Sequence, residues 1–319
     1  MMEKLRNTLM LWIDSGRRVD SNEDDTDNEI DWLRIVPFIL MHLACFSVIW
    51  VGWSPVAVVV ALFLYGIRMF AITAFYHRYF SHKSFQTSRA VQFIFAVIGA
   101  ASVQRGPLWW AAHHRNHHAN SDEPNDAHSP VQDSFWWSHM GWFLSRKHFE
   151  TRWQYVKDWS RYPELVFLDR FDLLVPAVLA VSMYILGALL QTLAPALETS
   201  GLQMLVWGFF ISTVVLYHAT FTINSLAHRF GKKRYPTSDD SRNNFWLALL
   251  TFGEGWHNNH HFYPRSVRQG HRWWELDFTY AILKLMAAFG LVWRMTPVPE
   301  RIRRQRNNPV SSRAVGDKQ

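Results

Sequence analysis

Four long apolar stretches constrain this chain more than any other feature. Ile35 to Trp53 is nineteen residues without Asp, Glu, Lys or Arg, and Pro55 to Tyr76 is interrupted only by Arg68. Leu173 to Leu197 and Leu202 to Ala227 carry no charge at all. Each approaches the roughly 20 residues that an α-helix needs to cross a bilayer. The first pair is joined by Ser54-Pro55 and the second by Glu198 to Gly201, so both read as helical hairpins. The fold class expected is all-α and integral to the membrane, with four transmembrane helices.

The composition agrees. Charged residues are only 18% of the chain, below the roughly 25% usual in soluble domains, and aromatic residues reach 16%. Orientation follows from the basic residues, because Lys and Arg are retained in cytoplasmic connections. The hairpin turns hold none, His77 to Asp172 holds eleven, and the chain after His228 holds sixteen. Both termini and the middle segment should therefore be cytoplasmic. The net charge of +7 is accounted for in this way, and recognition motifs for nucleic acid are missing, so no nucleic-acid partner is expected.

The organisation that results is an acidic cytoplasmic tail (1–34), a first transmembrane hairpin (35–76), the first part of a cytoplasmic cap (77–172), a second hairpin (173–227), the second part of the cap (228–293) and a basic tail (294–319). Val91 to Gln104, and Phe278 to Trp293 with Lys284 inside it, are too short or too charged to cross and should be helices lying at the interface or covering the cytoplasmic domain. The single cysteine, Cys45, excludes disulfides within the chain, cysteine-bound clusters and cysteine-type zinc sites. Any bound metal must be carried by imidazole.

Imidazole is abundant and placed to do so. His77 and His82 stand where the second span ends. His114-Arg-Asn-His117-His118 lies in the middle segment and His257-Asn-Asn-His260-His261 beyond the fourth span. Each HxxHH sets three rings at i, i+3 and i+4 on one helix face, able to converge on one small volume. His77 and His82, five apart, diverge by about 140° on an α-helix, which suits a helix end or two neighbouring ions. Asn224 and His228 are one turn apart at the cytoplasmic end of the fourth span. The result is nine histidines, too many for one ion and suited to two; ligand type leaves Fe, Cu, Zn and Ni open. Of the remaining histidines, His42 and His218 should be packing residues inside spans. His128, His148 and His271 should be surface groups or partners behind ligands. His113 should point away from its neighbour, and His139 suits a partner behind a ligand.

The motifs "HRYFSH", "HHRNHH", "FWWSHMGW", "NSLAH" and "GEGWHNNHHFYP" occur in the order and spacing of the membrane di-iron fatty acid desaturases. The chain resembles the acyl-CoA, stearoyl-CoA type Δ9 branch from about Ile35 to Trp274. That resemblance implies two iron ions held by His77, His82, His114, His117, His118, His228, His257, His260 and His261. Asn224 would reach a metal through water, and Trp110 and Thr220 would shape a bent acyl tunnel. It further implies O2 as co-substrate and a cis double bond made in a long-chain acyl substrate, with acyl-CoA favoured. The heme motif of a fused cytochrome b5 is absent, and too little chain follows Trp293 to hold that domain. A separate electron donor is therefore expected, such as ferredoxin and its reductase, with Arg265, Arg268 and Arg272 available to meet an acidic donor or a CoA phosphate. One departure bears on the carrier: the Arg-Asp pair of animal acyl-CoA enzymes is Ala112 and His113 here, which leaves acyl-carrier protein and a membrane glycerolipid open beside CoA. Similar boxes serve hydroxylases, acetylenases and alkane monooxygenases. A metal transporter is the alternative of another class, but its ligands should lie near the bilayer midplane.

Overall fold

The computed structural model describes residues 2–16 and 28–304, so the acidic stretch around 17–27 and the basic tail from 305 onward lie outside the described residues. Among the described residues the chain is mostly helical, and three helices are long and apolar enough to cross a membrane. These are Pro55–Ser81, Leu174–Leu193 and Gly201–Ser225. In chain order we name α1 (Met2–Ile13), α2 (Val36–Val51), α3 (Pro55–Ser81), α4 (Arg89–Ala100), α5 (Pro107–Asn120), α6 (Pro163–Arg170), α7 (Leu174–Leu193), α8 (Gly201–Ser225), α9 (Phe245–Leu250), α10 (His257–Phe262) and α11 (Phe278–Ala288).

The first expected span departs from the reading above. Its apolar run becomes the shorter helix α2, with a turn at Phe46 and Ser47. The N-terminal segment also differs from a free solvated tail: α1 forms, and Asp14 and Ser15 pin it to Arg170 and Asp169 at the end of α6. The helix starts follow local chemistry. Ser54 caps α3 by accepting the Ala57 N–H at 3.1 Å with Pro55 behind it, and Ser200 with Gln203 forms a capping box on α8. The second hairpin closes tightly at Gly187 and Gly201, where a Cβ at Gly187 would overlap the backbone of Ser200.

Arg68, the one charge in the apolar runs of α3, is buried and satisfied. It donates to Ser212 Oγ at 2.6 Å, Thr213 Oγ1 at 2.7 Å and two backbone carbonyls. Past Phe70 the helix changes pitch: Ala71–Ser81 winds as a π-helix with every residue buried, packed in an aromatic core around Phe75, Tyr76, Phe80 and Phe85. The interface stretches become α4, and α11 followed by the strand Val292–Trp293, which pairs antiparallel with Gln86–Thr87.

Candidate metal centre

Two helices with the same HxxHH motif and the π-wound end of α3 meet above the apolar helices. Helix α5 is held there by a buried carboxylate from α6: Asp169 accepts the N–H groups of Leu108 (3.0 Å) and Trp109 (2.7 Å), the free donors of its first turn. Gly106 permits this approach, since a Cβ there would overlap the Asp169 backbone. Burial lifts the Asp169 carboxyl to about 6, against the hydrogen bonds it accepts.

The nine histidines divide into two sets. His77, His82, His114, His118 and His260 form the first, and His117, His228, His257 and His261 the second; within each set the candidate ligand atoms lie within 4.8 Å of one another. Neither HxxHH converges on a single point. On α5 the i, i+4 pair His114 and His118 enters the first set and His117 the second; on α10 His257 and His261 enter the second and His260 the first. The two helices thus cross-link both sets. His77 and His82 also depart from the α-helical expectation. The π-winding gives a hydrogen bond from the His82 N–H to the His77 carbonyl (3.3 Å), five residues apart, and both rings face the first set with centroids 4.9 Å apart.

Inside the sets, bare ring nitrogens face one another. His82 Nε2 is 2.8 Å from His114 Nε2, His77 Nε2 is 3.0 Å from His260 Nε2, His260 Nε2 is 2.9 Å from His118 Nε2, and His228 Nε2 is 3.1 Å from His257 Nε2. Ligands at about 2.1 Å and a right angle around one ion stand about 3 Å apart. The outer nitrogens explain which atoms point inward. Glu254 meets His77 Nδ1 at 2.5 Å, Asp126 meets His117 Nδ1 at 2.9 Å, Asp122 meets His228 Nδ1 at 3.0 Å and Asp239 meets His261 Nδ1 at 2.7 Å. A carboxylate there assigns the proton to Nδ1 and leaves the Nε2 lone pair free for a cation. Accordingly, the buried His117 Nε2 and His261 Nε2 have no hydrogen-bond partner among the described residues.

Burial pushes His82, His114, His118, His257 and His260 well below the usual imidazole range, with neighbouring imidazoles adding to it. Burial lowers His261 to about 4 despite Asp239, whereas Asp126 outweighs burial and raises His117. At neutral pH most of the ligand rings are therefore uncharged, the form that binds metal. Nine inward lone pairs, orphaned atoms and carboxylate-fixed tautomers fit a pair of cations.

The four carboxylates were not singled out from the sequence. Asp122 and Asp126 sit in the stretch that follows His118, and Glu254 stands three residues before His257, so acids beside histidine boxes were the available signal. Asp239 carried none. His128, His148 and His271 are buried rather than on the surface. The ring of His128 lies 4.3 Å from that of His117, and His271 meets the Tyr235 hydroxyl at 3.2 Å. His113 points away from both sets, to the Glu150 carbonyl at 3.1 Å. His42 and His218 join each other at 3.2 Å, and His218 meets His139 at 3.0 Å.

The profile of the family described as fatty acid desaturase matches residues 35–297. The chain belongs to the fatty acid desaturase family. The desaturase is 36% identical over 270 residues to an sn-1 stearoyl-lipid 9-desaturase of Anabaena variabilis, covering 83% of this chain and 94% of that one. It is 36% identical over 266 residues to a palmitoyl-monogalactosyldiacylglycerol delta-7 desaturase of Arabidopsis thaliana, covering 82% and 68%. An acyl-CoA 5-desaturase of Anemone leveillei is 34% identical over 281 residues, covering 84% and 83%. As a desaturase the chain is an oxidoreductase of lipid metabolism with a histidine-rich metal-binding site.

A cavity of about 760 Å³ leads from this site into the apolar helices. His114, Asn224, Trp110 and Thr220 are among its lining residues. The Trp110 ring lies nearly parallel to that of His114, centroids 5.1 Å apart, and Thr220 Oγ1 accepts the Gln104 amide at 2.9 Å. Leu40, Leu43 and Ala44 of α2, and Pro176, Ala177 and Ala180 of α7, also line the cavity.

Proposed function

We propose that the desaturase inserts a cis double bond, at Δ9, into a saturated long-chain acyl group esterified in a membrane glycerolipid. Two iron ions in the two histidine sets, O2 and two electrons from a separate carrier such as ferredoxin complete the reaction. Two hydrogens leave adjacent methylenes, and with O2, two electrons and two protons they yield two waters. His77, His82, His114, His118 and His260 would hold one iron and His117, His228, His257 and His261 the other, and with O2 these would supply the oxidising power that no side chain has. Zinc would not serve, because it has no redox chemistry.

The observation that carries this reading is the apolar cavity reaching His114 and Asn224. Trp110 and Thr220 form the bend that fixes one conformation of the acyl chain, so that one pair of carbons stops beside the ligand sets. The aromatic and aliphatic walls keep water from the reacting carbons. Asn224, which lines the cavity, would offer a polar partner to water near the metal. The glycerolipid carrier, in place of acyl-CoA, is supported by the open flank of the cavity. Leu40 and Leu43 line it while more than half exposed, so a lipid's second acyl chain stays in the bilayer beside α2. The Δ9 position is supported by the stearoyl-lipid relative, and the cytoplasmic placing of both termini and the site by the Lys and Arg distribution.

Expression in a host lacking this double bond, followed by gas chromatography of lipid methyl esters with double-bond localisation, tests the proposal. A Δ9 olefin produced by the wild type and absent with His114→Ala is the expected result. Hydroxylated acids in place of olefins would overturn it.

A further inference from the structure

We infer that the acyl carrier is anchored by a phosphate group in a built anion site at the cytoplasmic mouth of the cavity, formed by Arg34, Arg105 and Trp12. The inference rests on the desaturase reading above and names the substrate class more narrowly than it does. All three residues line the same cavity as His114 and Asn224.

Arg34 stands two residues before α2, Asp172 two residues before α7 and Arg105 two residues before α5, so the cluster sits at the starts of these helices. Arg105 is committed on two sides, to Asp172 at 3.2 Å and to the Phe149 carbonyl at 2.6 Å. Its Nε is buried and has no partner among the described residues. The Arg34 guanidinium carbon lies over the Phe149 ring, 4.1 Å from its centroid, and its side chain makes no hydrogen bond or ion pair among the described residues. Burial and the neighbouring Arg105 draw Arg34 down to about 10, more strongly than Asp172, Asp31 and Glu150 raise it. Trp12, carried in by α1, adds a third donor: its indole N–H is buried with no acceptor among the described residues.

A buried polar atom without a partner carries a cost unless a ligand or water satisfies it. The two unsatisfied buried atoms of this cluster, Arg105 Nε and the Trp12 indole N–H, are both donors. The charged side chains that line the cavity here are two guanidiniums and the one carboxylate of Asp172, with Asp31 and Glu150 behind the lining. A phosphodiester matches the guanidiniums in charge and in acceptor geometry, and Arg suits that recognition better than Lys. An uncharged sugar headgroup offers neither match. Phosphate could come from a phospholipid or from CoA, and the open flank at Leu40 and Leu43 favours the phospholipid.

Native mass spectrometry of the full-length protein in detergent micelles tests this without iron or a donor. The probes are distearoyl phosphatidylglycerol, distearoyl monogalactosyldiacylglycerol and stearoyl-CoA. We expect phosphatidylglycerol to be retained roughly tenfold or more over the galactolipid, the scale of one charge-assisted hydrogen-bonded group. Arg34→Gln should abolish that preference, Arg34→Lys keep most of it, and Trp12→Phe, which preserves the ring and removes the N–H, reduce it severalfold. Equal retention of the two lipids, or a preference untouched by Arg34→Gln, overturns the inference. Stearoyl-CoA retained most tightly and lost with Arg34→Gln supports the phosphate site and overturns the glycerolipid carrier. If the phospholipid preference holds while cells make no olefin, the desaturation reading fails and the anion site stands.

Discussion

The two histidine sets share two helices yet are supported differently. The first has five imidazoles and one carboxylate behind them, Glu254; the second has four imidazoles and three carboxylates, Asp122, Asp126 and Asp239. In the first set, order comes from packing. His77 stands on a fully buried π-helix, and the next residue, Arg78, ties Glu254 (3.0 Å), Asp277 (3.0 Å) and the Val267 carbonyl (2.7 Å) into one buried knot. In the second set, order comes from hydrogen bonds to loop acids, and Asp122 also accepts the Asp240 N–H at 2.7 Å, joining two loops. The difference teaches that one set is fixed by the fold and the other by negative charge behind three of its four ligands, His117, His228 and His261. The second set should therefore favour the more oxidised metal.

The largest effect should come from breaking what both sets share. His260 approaches both His77 and His118 from a helix that otherwise serves the second set, so His260→Ala should bring olefin formation to background and remove about one iron per chain. Membrane insertion should persist, as checked by iron analysis of the membrane-extracted protein. A near-normal iron content would break the assignment.

Next in size, Arg78→Met should cost about 3–5 kcal/mol, because it leaves Glu254 and Asp277 as buried carboxylates without their cation. Thermal unfolding in detergent measures this. Third, Asp239→Asn should weaken iron retention against a chelator by roughly 10–100-fold while barely moving the thermal midpoint. Glu254→Gln should show the reverse balance, a larger loss of stability and a smaller loss of iron. Matching behaviour of these two variants would erase the contrast between the sets.

The smallest effect concerns how α5 is held. Asp169 has its carboxyl raised to about 6, above its unfolded value, so the folded state binds the extra proton between about pH 4 and pH 6. Stability should be greatest below that window and fall as pH rises through it, by about 1–3 kcal/mol. Asp169→Asn, which keeps an acceptor for the Leu108 and Trp109 N–H groups, should flatten this part of the profile.

Much of the site was legible in the sequence because ligand chemistry is local. The HxxHH boxes and His228 could be placed by helical periodicity and by the ends of apolar runs. What was not legible depended on pitch and on contacts distant in the chain. An α-helical period sends His77 and His82 apart, and only the π-winding of a buried aromatic segment reunites them. Asp239 reaches His261 from a loop 22 residues away, a pairing that no spacing rule encodes. The apolar runs were likewise plain, but the turn at Phe46 and Ser47 that shortens α2 falls within an unbroken apolar stretch and leaves no mark in composition.

The most direct test of the whole account is anomalous diffraction at the iron edge from crystals of the iron-loaded protein. Two peaks are predicted, one within about 2.2 Å of ring nitrogens from His77, His82, His114, His118 and His260, the other equally close to His117, His228, His257 and His261. A single peak, or iron found away from these rings, would contradict it.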